Sequence, residues 1–379
     1  MTDAMQQTDR QRLADARRWV VKVGSALLTN DGRGLDASVV KMLADQLAAL
    51  RSRGCDVVLV SSGAIVAGLA RLNLPERPHE VHLSQAAAAV GQSALVRAYE
   101  EHLSPHGVTT AQILLSHADV RARDRYLNAR STLSTLLAMN VLPIVNENDT
   151  VVTDEIRLGD NDTLAALVAN LVDADALLIL TDQDGLMDSD PRQSVEAALI
   201  QTADVHDSSL DTIAGAGSAL GRGGMATKLS AARLAARSGT ATVIANGRQA
   251  DAITQVAGGA SLGTFLQTQR QPQSARKQWL ASLLHAQGSL VLDDGAVKGV
   301  SDQGRSLLPI GVVSVAGDFQ RGDLVSCLDS SGRERARGLA NYSSEEAKAL
   351  AGKASADIES VLGYRGEEEL IHRDNLVGS

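Results

Sequence analysis

Aromatic residues are almost missing from this chain: Phe, Tyr and Trp make up 2% of its 379 residues, against 44% for hydrophobic residues as a whole. The core must therefore be built from Ala, Leu, Val and Ile, a composition suited to helices packed on a parallel sheet. The hydrophobic share excludes a disordered chain. Cysteine is also scarce. Cys55 and Cys327 lie far apart and match neither a zinc nor a redox spacing. Cys55, just ahead of the run VVLV, reads as a small packing residue. No apolar run approaches the roughly 18 residues that a membrane span requires. The N-terminal stretch MTDAMQQTDRQRLADARR lacks the apolar segment of a signal peptide. A soluble, cytoplasmic protein is the expectation. Basic surplus is lacking too: a net charge of −9 argues against a broad nucleic-acid or anionic-membrane surface, while leaving room for a local basic site. None of the eight histidines stands in an H-E-x-x-H frame, so they read as surface or core residues.

What is present is a regular alternation. The runs WVVKV (19–23), VVLV (57–60), AQILL (111–115), VLPIV (141–145), ALLIL (176–180) and ATVIA (241–245) read as strands. Amphipathic stretches such as 38–54 and 228–239 lie between them, the latter closed by Gly239. This order predicts an α/β fold with a mostly parallel open sheet and helices on both faces. Pro143 predicts that its strand is peripheral or bulged. The length favours two or three domains. Residues 1–16 read as a tail, 17–266 as the α/β domain, 267–284 as a polar linker, and 285–379 as a small β-rich domain in which SSEEAKALAG (343–352) is the one expected helix.

In an open parallel sheet, ligands bind beyond the carboxyl ends of the strands. Here those ends empty into GS (24–25), SSGAIVAG (61–68), NENDT (146–150) and TDQDG (181–185). Lys22 sits near the end of the first strand. It is costly if buried without an anionic partner, and otherwise belongs on an exposed edge. GRGGMATK (221–228) meets the loose G-x-G-x-x-A pattern but follows no strand, as a dinucleotide fingerprint should, and it fails the Walker pattern. It reads either as a flexible loop with a surface lysine or as a glycine-rich phosphate cradle opening a helix, with Thr227 and Lys228 in its first turn. Ser62 is at minimum a helix N-cap. It is no nucleophile, because G-x-S-x-G and a placed histidine base are both missing.

The runs NENDT and GDNDTLAALVANL (159–171) concentrate Asn146, Glu147, Asn148, Asp149, Asp160, Asn161 and Asp162. Asp162 or Asn161 can cap the following helix, which leaves the rest unexplained. The spacing does not fit a calcium loop. Amides mixed with carboxylates suit a ligand carrying both an ammonium and a carboxylate, as an amino acid does.

Taken together, VVKVGS, SSGAIVAG, NENDTV, GDNDTLAALVA, LLILTDQDGLMDSDPR and GGMATKL resemble the glutamate 5-kinases of the amino acid kinase superfamily, in order, over nearly all of residues 17–266. The C-terminal part, from GSLVLDDGA to IHRDNL, is similar to the PUA domain of bacterial members. The resemblance implies ATP-dependent phosphorylation of the L-glutamate side-chain carboxylate, the first step of proline synthesis, with Mg²⁺ on the nucleotide. It implies that Lys22 holds the transferring phosphoryl group, that Lys228 neutralises the phosphate charge and that Asp160 orients the lysines. Ser62, Asp149 and Asn161 would bind glutamate, with Asp162 beside them. Thr181, Asp182 and the loop Arg222, Gly223, Gly224, Met225, Ala226, Thr227 and Lys228 would meet ATP. No protein ligand to a metal is assigned. Arg222 stands where many relatives are expected to have a small hydroxyl residue, so a hydroxyl contact to the nucleotide is not carried over. Proline as inhibitor, a glutamyl-5-phosphate reductase as functional partner, and a homo-oligomer are further implications.

The chemistry agrees with this. A carboxylate nucleophile is already ionised near neutral pH, so no general base is needed. The barrier is largely anion meeting anion, about 4 kcal/mol per unit-charge pair at about 4 Å and an effective dielectric near 20. Two lysines with Mg²⁺ suit that barrier better than one. The neighbouring alternatives are kinases for aspartate, acetylglutamate or carbamate. An RNA-binding role through the PUA-like part is the alternative of a different class. Residues 285–379 carry 10 Lys and Arg against 15 Asp and Glu, so RNA is the weaker reading.

Overall fold

The computed structural model describes residues 10–29, 34–151, 161–189, 196–215, 224–268, 286–301 and 303–378. They divide into two compact units, one within 1–117 and 131–272, the other within 118–130 and 273–379. Each is described by itself.

The first unit is built on an eight-stranded sheet. Its strands are β1 (Arg18–Val23), β2 (Asp56–Ser61), β3 (Thr110–Leu115), β4 (Leu142–Glu147), β5 (Ala176–Thr181), β6 (Thr202–Asp204), β7 (Ala241–Asn246) and β8 (Thr264–Gln267). They run in the order β3-β4-β2-β1-β5-β7-β8-β6. Only the β7–β8 pair is antiparallel. β1 is central, with β2 on one side and β5 on the other, so the chain changes direction across the sheet at the β1–β5 edge. Pro143 lies on β4, an inner strand paired on both sides, rather than on a peripheral one. The β2–β4 register begins one residue later, at Leu59 with Ile144, so the proline's missing N–H falls ahead of that ladder.

β-Strand alternation assigns the two faces of β1. Trp19, Val21 and Val23 join one core with Leu43 and Leu47 of the helix Ala37–Ser52 and with Leu95 and Tyr99 of the helix Val81–Leu103. Val20 and Lys22 point the other way, where the helices Asn161–Leu171 and Met225–Ala236 bury Leu164, Val168, Leu229 and Ala232. Helix Ala37–Ser52 starts where Asp36 accepts hydrogen bonds from the amides of Ser38 and Val39. Fully buried Trp19 gives its indole N–H to Ala16 O at 3.3 Å.

Residues 10–16, read from sequence as part of a tail, are folded. Arg10, only 3% exposed, donates to Ala260 O (2.9 Å), Leu262 O (3.0 Å), Gln201 O (2.5 Å) and Gly263 O (2.8 Å). Its guanidinium also lies 5.8 Å from the centre of the Phe265 ring. Charged hydrogen bonds to buried carbonyls are among the stronger ones. Arg10→Met is therefore expected to cost about 2–4 kcal/mol. A denaturant midpoint unchanged from wild type would show that this clamp contributes nothing.

The second unit carries a five-stranded sheet: β9 (Gly288–Leu292), β10 (Val312–Gly317), β11 (Leu324–Leu328), β12 (Glu334–Leu339) and β13 (Leu376–Gly378), in the order β10-β9-β11-β12-β13. Leu290, Leu292, Phe319, Val325, Cys327, Tyr342 and Ile371 are among its core residues. The helix expected over 343–352 forms at Ser344–Leu350, behind a capping box of Ser343 and Glu346. It is not the only one there. Asp294–Ser301, read as part of a strand-like run, and Ile358–Leu362 are also helical. In the first of these, Asp293 caps by accepting from Ala296 N (2.6 Å), and Ala296, Val297 and Val300 turn to the core at helical spacing. The segment Ala118–Arg130 also belongs to this unit, with Arg130 Nη2 3.4 Å from the Asp374 carboxylate.

Candidate active site

Parallel register brings the ends of β1, β2, β4, β5 and β7 to one edge of the sheet. Lys22 is opposite Val60 on β2 and Ile179 on β5, and Thr181 is opposite Asn246 on β7. The residues that follow these strands converge where the strand order switches, at β1–β5.

At its centre lies a buried charge cluster. Lys22 is 6% exposed, Lys228 5% and Asp162 1%. Lys22 Nζ stands 2.5 Å from Asp162 Oδ1, and Lys228 Nζ 3.2 Å from Asp162 Oδ2. Thr227 Oγ1 shares its proton between Asp162 Oδ2 (3.0 Å) and Gly224 O (2.7 Å). Burial works to raise the pKa of the Asp162 carboxyl, but the charges and hydrogen bonds of the two lysines outweigh it and hold the group below its ordinary value. Over these three side chains, one carboxylate between two ammonium groups leaves a net positive charge in a dry setting, which fits an incoming anion. The exposed-edge reading of Lys22 does not hold, because β1 is central and its partner is Asp162.

Beside the cluster opens a cleft of about 110 Å³, lined by residues that include Ser25, Ser62, Arg77, Asn146, Asp149 and Asn161. Gly63, at φ 106°, is the residue that caps the helix Ala64–Arg71, with no side-chain cap bond. Ser62 is therefore not the cap. Its Oγ instead accepts from Asn161 Nδ2 at 2.8 Å. Asn161 and Asp162 do not cap their helix either; both are buried inside its first turn. The amide of Asn161 reaches Asn146 Oδ1 (2.9 Å), and Asn146 reaches Gln92 Oε1 (2.7 Å). On the other side, Thr181 Oγ1 donates to Asp182 Oδ1 (3.1 Å), and Asp184 accepts from Asn246 (2.9 Å) and Gln249 (3.2 Å). Gly224, Met225 and Ala226 are partly exposed at the start of the helix Met225–Ala236. Asp160, Arg222 and Gly223 lie outside the described residues.

The sequence reading passes over Arg77 and Gln92, and includes Ser25 only within the GS turn after β1. Arg77 comes from a stretch with no periodicity. Gln92 sits in an alanine-rich helix whose weak apolar stripe hides which face is buried.

This is a class of site in which paired lysines on one acid flank a small polar cleft at a parallel-sheet switch point. The amino acid kinase family matches residues 17–246 and the PUA domain matches residues 288–362, and the chain belongs to the amino acid kinase family. Glutamate 5-kinase of Chromohalobacter salexigens is 58% identical, covering 98% of both chains. That of Saccharophagus degradans is also 58% identical, covering 97% of this chain and 99% of the relative. That of Hahella chejuensis is 60% identical, covering 97% and 96%. Within its family the chain stands among the glutamate 5-kinases, as the motifs implied.

Proposed function

We propose that this chain transfers the γ-phosphoryl group of ATP to the side-chain carboxylate of L-glutamate, giving L-glutamyl 5-phosphate for proline biosynthesis. The observation that carries the reading is the Lys22–Asp162–Lys228 cluster beside the amide-lined cleft. Ser62, Asn161 and Asp149 hold the amino-acid end of glutamate, and the side-chain carboxylate points toward the lysines. Thr181, Asp182 and the segment 222–228 receive the nucleotide, with Asp160 as a further orienting acid.

In the reaction, a carboxylate oxygen attacks the γ-phosphorus while the bond to the β–γ bridging oxygen breaks, and that oxygen leaves on ADP. Lys22 and Lys228 sit where charge builds on the phosphoryl oxygens, and Asp162 holds both in place without reorganisation. No proton is moved, because the nucleophile arrives ionised. Among the described residues, no three His, Cys, Asp or Glu side chains cluster as a metal cage. The donors on the nucleotide side, Asp182 among them, would suit Mg²⁺ brought on the nucleotide's phosphates. When bound, Mg²⁺ neutralises phosphate charge. Proline shares the ammonium and α-carboxylate of glutamate and would compete for the same cleft. The acyl phosphate is water-labile, which fits a reductase that consumes it at once.

The test is hydroxylamine trapping with ATP, Mg²⁺ and a panel of glutamate, aspartate, acetylglutamate and carbamate. Hydroxamate is expected with glutamate, and is expected to vanish in Lys22→Ala. Product from a different acceptor, or none from any, would overturn the reading.

A further inference from the structure

We propose that Gln92 is a positioning residue that sets the hydrogen-bonding polarity with which the cleft meets the amino-acid end of its substrate. The inference rests on the kinase reading but concerns a residue outside the cleft. Gln92 is 7% exposed on the helix Val81–Leu103 and is not among the cleft-lining residues.

A buried chain of amides runs from Gln92 to the cleft, and each link has a direction. Gln92 Oε1 accepts from Asn146 Nδ2 at 2.7 Å. An asparagine that gives its nitrogen to one neighbour turns its oxygen to the other, and Asn146 Oδ1 accepts from Asn161 Nδ2 at 2.9 Å. The second hydrogen of that nitrogen goes to Ser62 Oγ at 2.8 Å. Both Asn161 hydrogens are thereby used, and its oxygen is left to accept. Ser62 has taken a hydrogen on its oxygen and keeps its own proton to donate. The cleft therefore offers an acceptor for an ammonium at Asn161 and a donor for a carboxylate at Ser62. Reversing the first amide would reverse each one after it. Asn161 would then present N–H groups, and Ser62 would spend its proton inside the chain.

Gln92 Nε2 has no hydrogen-bond partner among the described residues. A buried amide nitrogen without a partner is a cost that an apolar side chain would avoid. A position serving packing alone would favour that apolar side chain. The one bond the residue makes is the one that terminates the chain.

The test uses two variants of the full chain. Gln92→Met conserves volume and removes the acceptor. Gln92→Glu keeps an oxygen acceptor in either protonation state and, when ionised, has no donor with which to reverse the chain. Glutamate affinity is measured by calorimetry beside steady-state KM for glutamate and ATP. Absence of turnover in the wild type, which would count against the kinase reading, is thus told apart from a change in binding. Gln92→Met is expected to weaken glutamate binding about tenfold, the scale of one lost hydrogen bond, with KM for ATP unchanged. Gln92→Glu is expected to stay within about threefold of wild type, since its acceptor survives. Equal weakening in both variants would overturn the proposal, as would unchanged glutamate affinity in a folded Gln92→Met. So would a parallel loss in ATP KM and melting temperature, which marks a merely structural residue. If Gln92→Met does not fold, Gln92→Glu decides alone: retained affinity supports the acceptor role and lost affinity overturns it.

Discussion

Asp162→Asn is expected to lower kcat by about 10³, the scale seen when a preorganised charge-stabilising contact is removed, while the KM for glutamate moves only a few-fold. The substitution barely changes shape. What it removes is a negative charge that, among the described residues, stands between two ammonium groups each nearly sealed from water. Two buried like charges without their shared counter-ion repel, and breaking a buried ion cluster by removing one member is a costly change. Lys22 and Lys228 then no longer stay where phosphoryl charge develops. The amide chain Gln92–Asn146–Asn161–Ser62 does not involve Asp162, so the amino-acid end of the cleft survives, and the damage falls on turnover. Steady-state kinetics measured with a folded variant decide this. A kcat within tenfold of wild type would remove Asp162 from the catalytic arrangement, and a loss confined to glutamate KM would return it to substrate binding.

Gly91→Ala is expected to destabilise the first unit by about 4 kcal/mol, beyond the usual range for overpacking because the clash is with backbone. A methyl group at Gly91 would meet Ala64 O at 1.8 Å and Gly68 N at 2.3 Å, and one at Gly68 would meet Ala87 O at 1.7 Å. The helices Ala64–Arg71 and Val81–Leu103 thus touch backbone to backbone, and neither carbonyl can swing aside as a side chain would. The sign makes this prediction sharp. On helix propensity alone, Gly→Ala in a helix interior stabilises by about 1 kcal/mol. A raised melting temperature in Gly91→Ala would therefore refute the close approach, and a fall on the order of 10 °C would support it. Because Gln92 is the next residue and Ala64 lines the cleft, any surviving protein should also bind glutamate poorly.

In the sequence, SSGAIVAG reads as the small polar turn into which the second strand empties. Only Gly63 has the left-handed backbone of such a turn. Gly68, five residues on, is there for the contact between two helices. Small residues look alike in a sequence whether they serve a turn, a ligand or a helix crossing, and only the neighbour across the gap tells these apart. Six strands of the first sheet were legible because fully buried parallel strands are short unbroken apolar runs, whereas β6 and β8, of three and four residues, were not. The helix Val81–Leu103 was not, because alanine on both faces leaves little periodic signal. The Asp294–Ser301 helix was hidden by glycines that look like turn punctuation. Arg10 was invisible as a core residue because nothing in a polar N-terminal stretch announces that four carbonyls about two hundred residues away will need donors.

Composition and pattern by themselves determined the α/β class, the edge of the sheet where the chemistry sits, and the supply of two lysines, acids and amides at that edge. Those properties follow from local periodicity and from the rule that parallel strands open at their carboxyl ends. The tertiary structure alone set Asp162 between the two lysines, 66 residues from Lys228 along the chain. It also decided that Asn161 meets Ser62, 99 residues away, and in which direction each amide points. Pairings at such separations are set by how helices pack on the two faces of the sheet. The polarity of a buried amide is set by its neighbours, and neither is written in the order of the residues.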